Sequence, residues 1–155
     1  MNSVSIVMES KPENIAFARV AVAAFIAPLD PSVEAVSEIK TAVSEAVTNA
    51  VIHGGADYVT MNLVSGETSG DGDKAITKTI TIDVIDKGCG IADIDAAREP
   101  LFTTKGDLER SGLGFTVMES FMDEVRVEST LGEGTTVTLV KTLAGSISPQ
   151  PASLE

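Results

Sequence analysis

A chain of 155 residues suits a single domain, one that buries about 68–70% of the surface its unfolded form exposes. Hydrophobic residues make up 43% of it, which excludes a disordered chain; with no Trp and 4% aromatics, the core must be built from Val, Ile, Leu and Ala. Eleven basic against 23 acidic residues give a net charge of −12, which argues against direct nucleic-acid binding and leaves room for steering toward a basic protein.

One cysteine, Cys89, excludes an internal disulfide and fits a reducing compartment. The opening Met1 to Glu9 is too short an apolar run for a signal peptide, and no 18-residue apolar stretch follows. The expectation is a soluble, cytoplasmic protein without membrane contact.

In chain order, Val4 to Met8 predicts a short strand. Ser10, with Pro12 and Glu13 behind it, opens a helix. The spacing Ile15, Ala18, Val22, Phe25 carries that helix from Asn14 to Ile26, widened by Phe17, Val20 and Ile26, with Arg19 its only charge. Pro28-Leu29-Asp30-Pro31 breaks the chain. Asp30 then serves as N-cap for a second helix, with Pro31 in the first helical position and Glu34 in the first turn. This helix is predicted to reach about Ile52 and to end at His53-Gly54-Gly55 with a glycine cap.

Val36, Ile39, Val43, Val47 and Ala50 form the core stripe of the second helix. Glu45 and Asn49, four residues apart, project from another side. Between Thr41 and Ile52, Glu45 is the only charged residue. A carboxylate in so apolar a helix is costly unless it is paired, hydrogen-bonded or near a metal. The pair is therefore either part of a solvated face or part of a site.

Tyr58 to Val64 reads as a strand, and Ser65 to Asp73 as a polar, glycine-rich connection with nothing to bury. Ile76 to Ile85 alternates clearly, with Ile76, Ile80, Ile82 and Val84 on one face and Thr77, Thr79, Thr81 and Asp83 on the other. These strands predict a hairpin. Ala92 to Arg98 is a short helix, and Glu99 to Ser111 lacks periodicity and reads as a long, lid-like loop. Gly114 to Phe121 is a helix and Glu124 to Ser129 a strand. Leu131 to Gly134 is a turn, and Thr135 to Thr142 the final strand. The expected fold is α+β, a two-layer sandwich with about three longer helices on one face of a mostly antiparallel sheet. Residues 1–145 form one domain and 146–155 a frayed tail.

Asp86-Lys87-Gly88-Cys89-Gly90 follows the strongest strand. Its glycines permit close backbone approach and Asp86 offers an acceptor, although an ordinary Asp-x-Gly turn has the same form. Ser111-Gly112-Leu113-Gly114-Phe115 leads into a helix. It suits either phosphate, through free N–H groups at a helix N-terminus, or a hinge. Gly132-Glu133-Gly134-Thr135-Thr136 opens the last strand as a turn. No P-loop and no Rossmann fingerprint occurs, and one His with one Cys makes neither a zinc site nor a persuasive nucleophile pair.

Taken in order, these four stretches resemble the N box and three glycine boxes of the ATPase/kinase superfamily with the Bergerat-type ATP-binding fold. That superfamily includes DNA gyrase, a heat-shock chaperone, histidine kinases and MutL. Phe17 to Val20, Glu38 to Thr41, Ser44 to Asn49, Pro100 to Lys105 and Leu108 to Phe115 further resemble the anti-sigma F factor family of spore-forming bacteria. The resemblance runs from about Ser5 to Thr142 and departs at the longer hairpin tip, Ser65 to Asp73.

The resemblance implies a serine kinase that also inhibits a sigma factor, using ATP and Mg²⁺. Glu45 would be the general base or orient the attacking group, and Asn49 would hold Mg²⁺ against the phosphates. Asp86 would accept from the adenine amino group, with Gly88 and Gly90 allowing backbone approach and Thr135 reaching the adenine side. Gly112 and Gly114 would shape the phosphate end. Lys105 is either a phosphate-facing charge or a solvated lysine. Arg19 and Arg110 would contact protein partners, the sigma factor or the anti-anti-sigma substrate, from a homodimer. Two related alternatives are a general-stress anti-sigma kinase and a detached histidine-kinase catalytic domain.

Overall fold

The computed structural model describes residues 1–70, 76–99 and 114–143. Five strands form one sheet: β1 (Asn2–Glu9), β2 (Tyr58–Thr68), β3 (Thr77–Asp86), β4 (Glu124–Thr130) and β5 (Gly134–Leu143). Their order is β1-β2-β3-β5-β4, and every neighbouring pair is antiparallel. The helices are α1 (Glu13–Ile26), α2 (Val33–Asn49), α3 (Ile94–Arg98) and α4 (Gly114–Phe121). The α+β two-layer sandwich is as expected.

The sheet's register follows from its buried side chains. Leu63 stands opposite Ile82, which stands opposite Leu139; Met61, Val84 and Val137 make a second such row. All six are buried. A one-residue slip would turn each of them to water, at about 1.5–3 kcal/mol per large side chain. Onto this face α1 lays Ala18, Val22 and Ile26, α2 lays Ile39, Val43 and Val47, and α4 adds Phe115 and Met118. The opposite face is mixed, half-buried along β3 and β5 and exposed toward the sheet edges, with the Thr138 hydroxyl donating to Asp83 Oδ1 at 2.6 Å. Lys141 of β5 donates to Glu38 of α2 (2.6 Å) and to the Phe121 carbonyl ending α4 (2.5 Å), so one ammonium joins sheet and both helices.

Several local expectations need correction. Ser10 does not cap α1: the helix begins at Glu13 with Pro12 in the cap position and no side-chain cap bond, while the Ser10 N–H donates to the Asp57 carbonyl (2.8 Å). Asp30 does not cap α2. It takes a left-handed conformation (φ 53°) that closes a short 3₁₀ turn over Ala27–Leu29, a region Asp tolerates better than most residues. Ser32, in extended conformation, is the cap, its hydroxyl accepting from the Ala35 N–H at 3.1 Å. Phe17 and Val20 do not widen the core; they face solvent at 52% and 67% exposure. Ser65 to Thr68 is not loose connection but the end of β2, paired through Thr68 opposite Thr77, and Ser65 is buried. Backbone pairing along threonine-rich β3 continues where hydrophobic alternation stops. The expected lid over Glu99 to Ser111, apart from Glu99, and the tail 146–155 lie outside the described residues.

Candidate functional site

The site begins where α2 changes its winding. α-Helical bonding stops after Asn49, earlier than Ile52, and Ala50–Gly54 continue as a wider π turn capped by Gly55 at φ 73°. A π turn swings the following backbone off the helix axis and is frequent at functional sites. Here it carries the Gly54 carbonyl to the turn after β3, where it accepts from the Cys89 N–H at 2.7 Å. The approach demands glycine: a Cβ on Gly88 would stand 1.6 Å from the Gly54 oxygen, and one on Gly54 would stand 2.9 Å from Asp86 Cγ.

Asp86 lies at the end of β3, opposite Thr135 of β5, and is buried. Its carboxylate accepts from the backbone N–H groups of Gly88, at 3.0 Å, and Thr135. Burial pushes the Asp86 carboxyl above its ordinary range, and those two bonds only partly oppose the rise. The same turn is tied to the β4–β5 turn, since Gly132 N–H donates to the Cys89 carbonyl (2.8 Å). Ser129 adds a hub: its hydroxyl accepts from the Ile91 N–H (2.7 Å) and lies 2.8 Å from the Thr135 hydroxyl.

These contacts frame a cavity of about 420 Å³, within the size range of small-molecule sites. Asn49, Asp86, Gly90, Gly114 and Thr135 all line it, although they come from four separate stretches of chain. Val84, Ile91, Phe115 and Val137 supply apolar wall. Glu45 is half-buried just beyond that wall, where a Cβ on Gly114 would come 3.2 Å from its Oε2 and 3.4 Å from Asn49 Nδ2. The first turn of α4 thus abuts the Glu45–Asn49 pair, and a helix N-terminus favours anionic groups beside it.

The outcome for the other expected residues is mixed. Arg19 is exposed on α1 and borders a separate groove with Val33, Ser37 and Lys40. Lys105, Arg110 and Gly112 lie outside the described residues. Sequence reasoning missed Ser129, a strand residue without a motif, and also Gly54 and Cys89, read only as a helix cap and a small loop residue although both line the cavity. The Cys89 Sγ–H donates to the His53 carbonyl at 3.2 Å.

No cluster of three or more His, Cys, Asp or Glu side chains suited to a metal occurs among the described residues. Mg²⁺ at phosphoryl-transfer sites is commonly held by one or two carboxylates together with phosphates and water; at this cavity Asn49 presents a side-chain amide, with the Glu45 carboxylate beside it.

Gly88 offers a direct check on the packing. Gly88→Ala is expected to cost about 3 kcal/mol, because backbone rather than a flexible side chain stands in the way. For a chain of this size that is a fall of roughly 6–12 °C in Tm in a nucleotide-free thermal melt. Gly66→Ala, with no atom within 4 Å of the added methyl, should melt close to wild type. If both variants melt alike, the Gly54–Gly88 contact is wrong.

Comparison with known proteins places these features in context. A family model described as a histidine kinase-like ATPase domain matches residues 8–141. A protein named anti-sigma F factor from Geobacillus thermodenitrificans is 49% identical over 151 residues, spanning 94% of this chain and 95% of its own. Another of that name from Clostridium beijerinckii is 53% identical over 140 residues, spanning 90% and 94%. A crystal structure of the RsbU and RsbW domains of a Mycobacterium tuberculosis protein aligns over 94% of this chain and 33% of that one, with a TM-score of 0.59 and 20% identity. That last likeness concerns the fold alone.

Proposed function

The chain belongs to the anti-sigma F factor family, among the histidine kinase-like ATPase domains, and from that premise we propose that it is an ATP-dependent serine kinase that binds a sporulation sigma factor and phosphorylates the sigma factor's antagonist. The observation that carries this reading is the convergence of Asn49, Asp86, Gly114 and Thr135 on one cavity, with Glu45 at the α4 end.

In this reading the adenine amino group donates to Asp86, and the turn through Gly88 and Gly90 brings backbone against the ring. Thr135 lies on the adenine side. The phosphates extend toward Asn49 and the N-terminus of α4, with Lys105 and Gly112 completing their surroundings. Mg²⁺, held by the Asn49 oxygen, would neutralise phosphate charge. Glu45 accepts the proton of the antagonist's serine hydroxyl as its oxygen bonds to the γ-phosphorus and the bond from that phosphorus to the ADP oxygen breaks. The products are ADP, phosphoserine and a proton. Phosphoryl transfer depends chiefly on alignment and charge neutralisation, which these residues can supply.

Arg19, exposed on α1, and Arg110 contact the protein partners, and the chain acts as a homodimer in the cytoplasm. A net charge of −12 favours a sigma factor's basic, nucleic-acid-binding surface over nucleic acid itself. The immobilised chain should retain a sigma factor from extracts of its own cells when ATP and Mg²⁺ are present, and Arg19→Glu should release it. Retention of a phosphoacceptor-histidine protein instead would favour the histidine-kinase reading. A general-stress sigma factor on the resin would keep the chemistry and change the partner.

A further inference from the structure

Arg98 ends α3, and its side chain reaches out of that helix. Nε and Nη2 donate to Glu119 Oε1 of α4 at 2.8 and 2.6 Å, and Nη2 also donates to the Val125 carbonyl of β4 at 3.0 Å. α3 has five residues, buries none of them fully and packs on the core through Ala97, so its own length does little to fix its place. Yet Ala97 beside Arg98 lines the cavity, as do Gly114 and Phe115 of α4. One guanidinium therefore fastens together the three elements behind a single wall of the site.

We infer that Arg98 is a positioning residue for the nucleotide site. It sets the spacing of α3 against α4, and through the rigid body of α4 it sets where Gly114 meets Glu45 and Asn49. Glu119 lies about 1.4 helical turns beyond Gly114 in the same short helix, so a displacement at one is carried to the other. The inference rests on reading the cavity as an ATP site. A lysine can also join two elements, as Lys141 does, but here Nε and Nη2 both meet Glu119 Oε1 while Nη2 reaches Val125, a fixed planar geometry that a compact ammonium reproduces only in part. The competing view is a surface ion pair: the two side chains are 31% and 43% exposed, and such pairs alone contribute little.

The test titrates ATP with Mg²⁺ into the full chain and follows thermal unfolding and amide exchange at residues 118 to 121 without nucleotide. Arg98→Gln should weaken ATP binding about tenfold and speed that exchange, the fold-change expected for losing charge-assisted hydrogen bonds. Arg98→Lys should recover only part of the affinity. Glu119→Gln, which keeps the bond to Val125, should fall between Arg98→Gln and wild type. Leu63→Val, a core change away from the cavity, should lower Tm without moving ATP affinity. Arg98→Gln that binds ATP within about twofold of wild type overturns the inference, whatever its Tm, and leaves the surface ion pair. Wild-type chain that binds no ATP overturns the reading of the cavity itself, and with it this role for Arg98.

Discussion

Glu45→Ala is expected to slow phosphoryl transfer to the antagonist serine by about 10²–10⁴-fold while ATP remains bound. The separation follows from where Glu45 stands. It lies beyond the cavity wall that Asn49 and Asp86 help to form, so its loss leaves the proposed adenine and metal contacts in place. It is half-buried in a helix interior, where alanine is the most favourable residue, so the fold should tolerate the change. Its carboxylate borders the N-terminus of α4, beside Asn49, where a serine hydroxyl aligned on the γ-phosphate would need a base. Transfer rate and ATP affinity measured on one preparation decide the matter. Loss of both would make Glu45 a structural residue.

Asp86→Asn should act in the opposite sense, reducing ATP affinity roughly 10- to 100-fold. Both carboxylate oxygens of Asp86 can accept, and Oδ1 receives the Gly88 N–H of the turn. An amide nitrogen in place of one oxygen can only donate, and the adenine amino group donates too, so the pair is mismatched. The nucleotide-free protein should not suffer equally. Burial raises the Asp86 carboxyl above its unfolded value, so its stabilising contribution is present below the unfolded value and is lost as pH rises through the folded one. At neutral pH the ionised group is thus a burden that asparagine removes. Asp86→Asn should melt at or above the wild-type temperature at pH 7, and the difference should shrink as pH falls through the acidic range in which Asp86 takes its proton. Unchanged ATP affinity would remove Asp86 from the adenine contact. A clear loss of stability at pH 7 would mean that the Gly88 and Thr135 bonds outweigh burial.

The features legible in the sequence are those set by neighbours along the chain. Alternation in Ile80, Ile82 and Val84 marked β3, glycine and apolar spacing bounded α4 at Gly114 and Phe121, and the glycine-containing stretches marked the turns that frame the cavity. The features that stayed hidden depend on register and packing between distant segments. Gly54 looks like any helix-ending glycine until the π turn carries it against Gly88. Ser129 becomes a hub only because the β4–β5 pairing sets it opposite Thr135. Arg98 and Glu119 meet across 20 intervening residues, a distance over which no periodicity speaks. Phe17 and Val20 show the converse, since apolar character on α1 did not decide which side of it docks.

The most direct test of the central claim is transfer of γ-labelled phosphate from ATP, with Mg²⁺, to the purified anti-anti-sigma antagonist. The predicted result is label on an antagonist serine, formed by wild-type chain and lost with Glu45→Ala. An antagonist that stays unlabelled while the wild-type chain binds ATP would contradict the account and leave the cavity as a nucleotide-binding module without kinase activity.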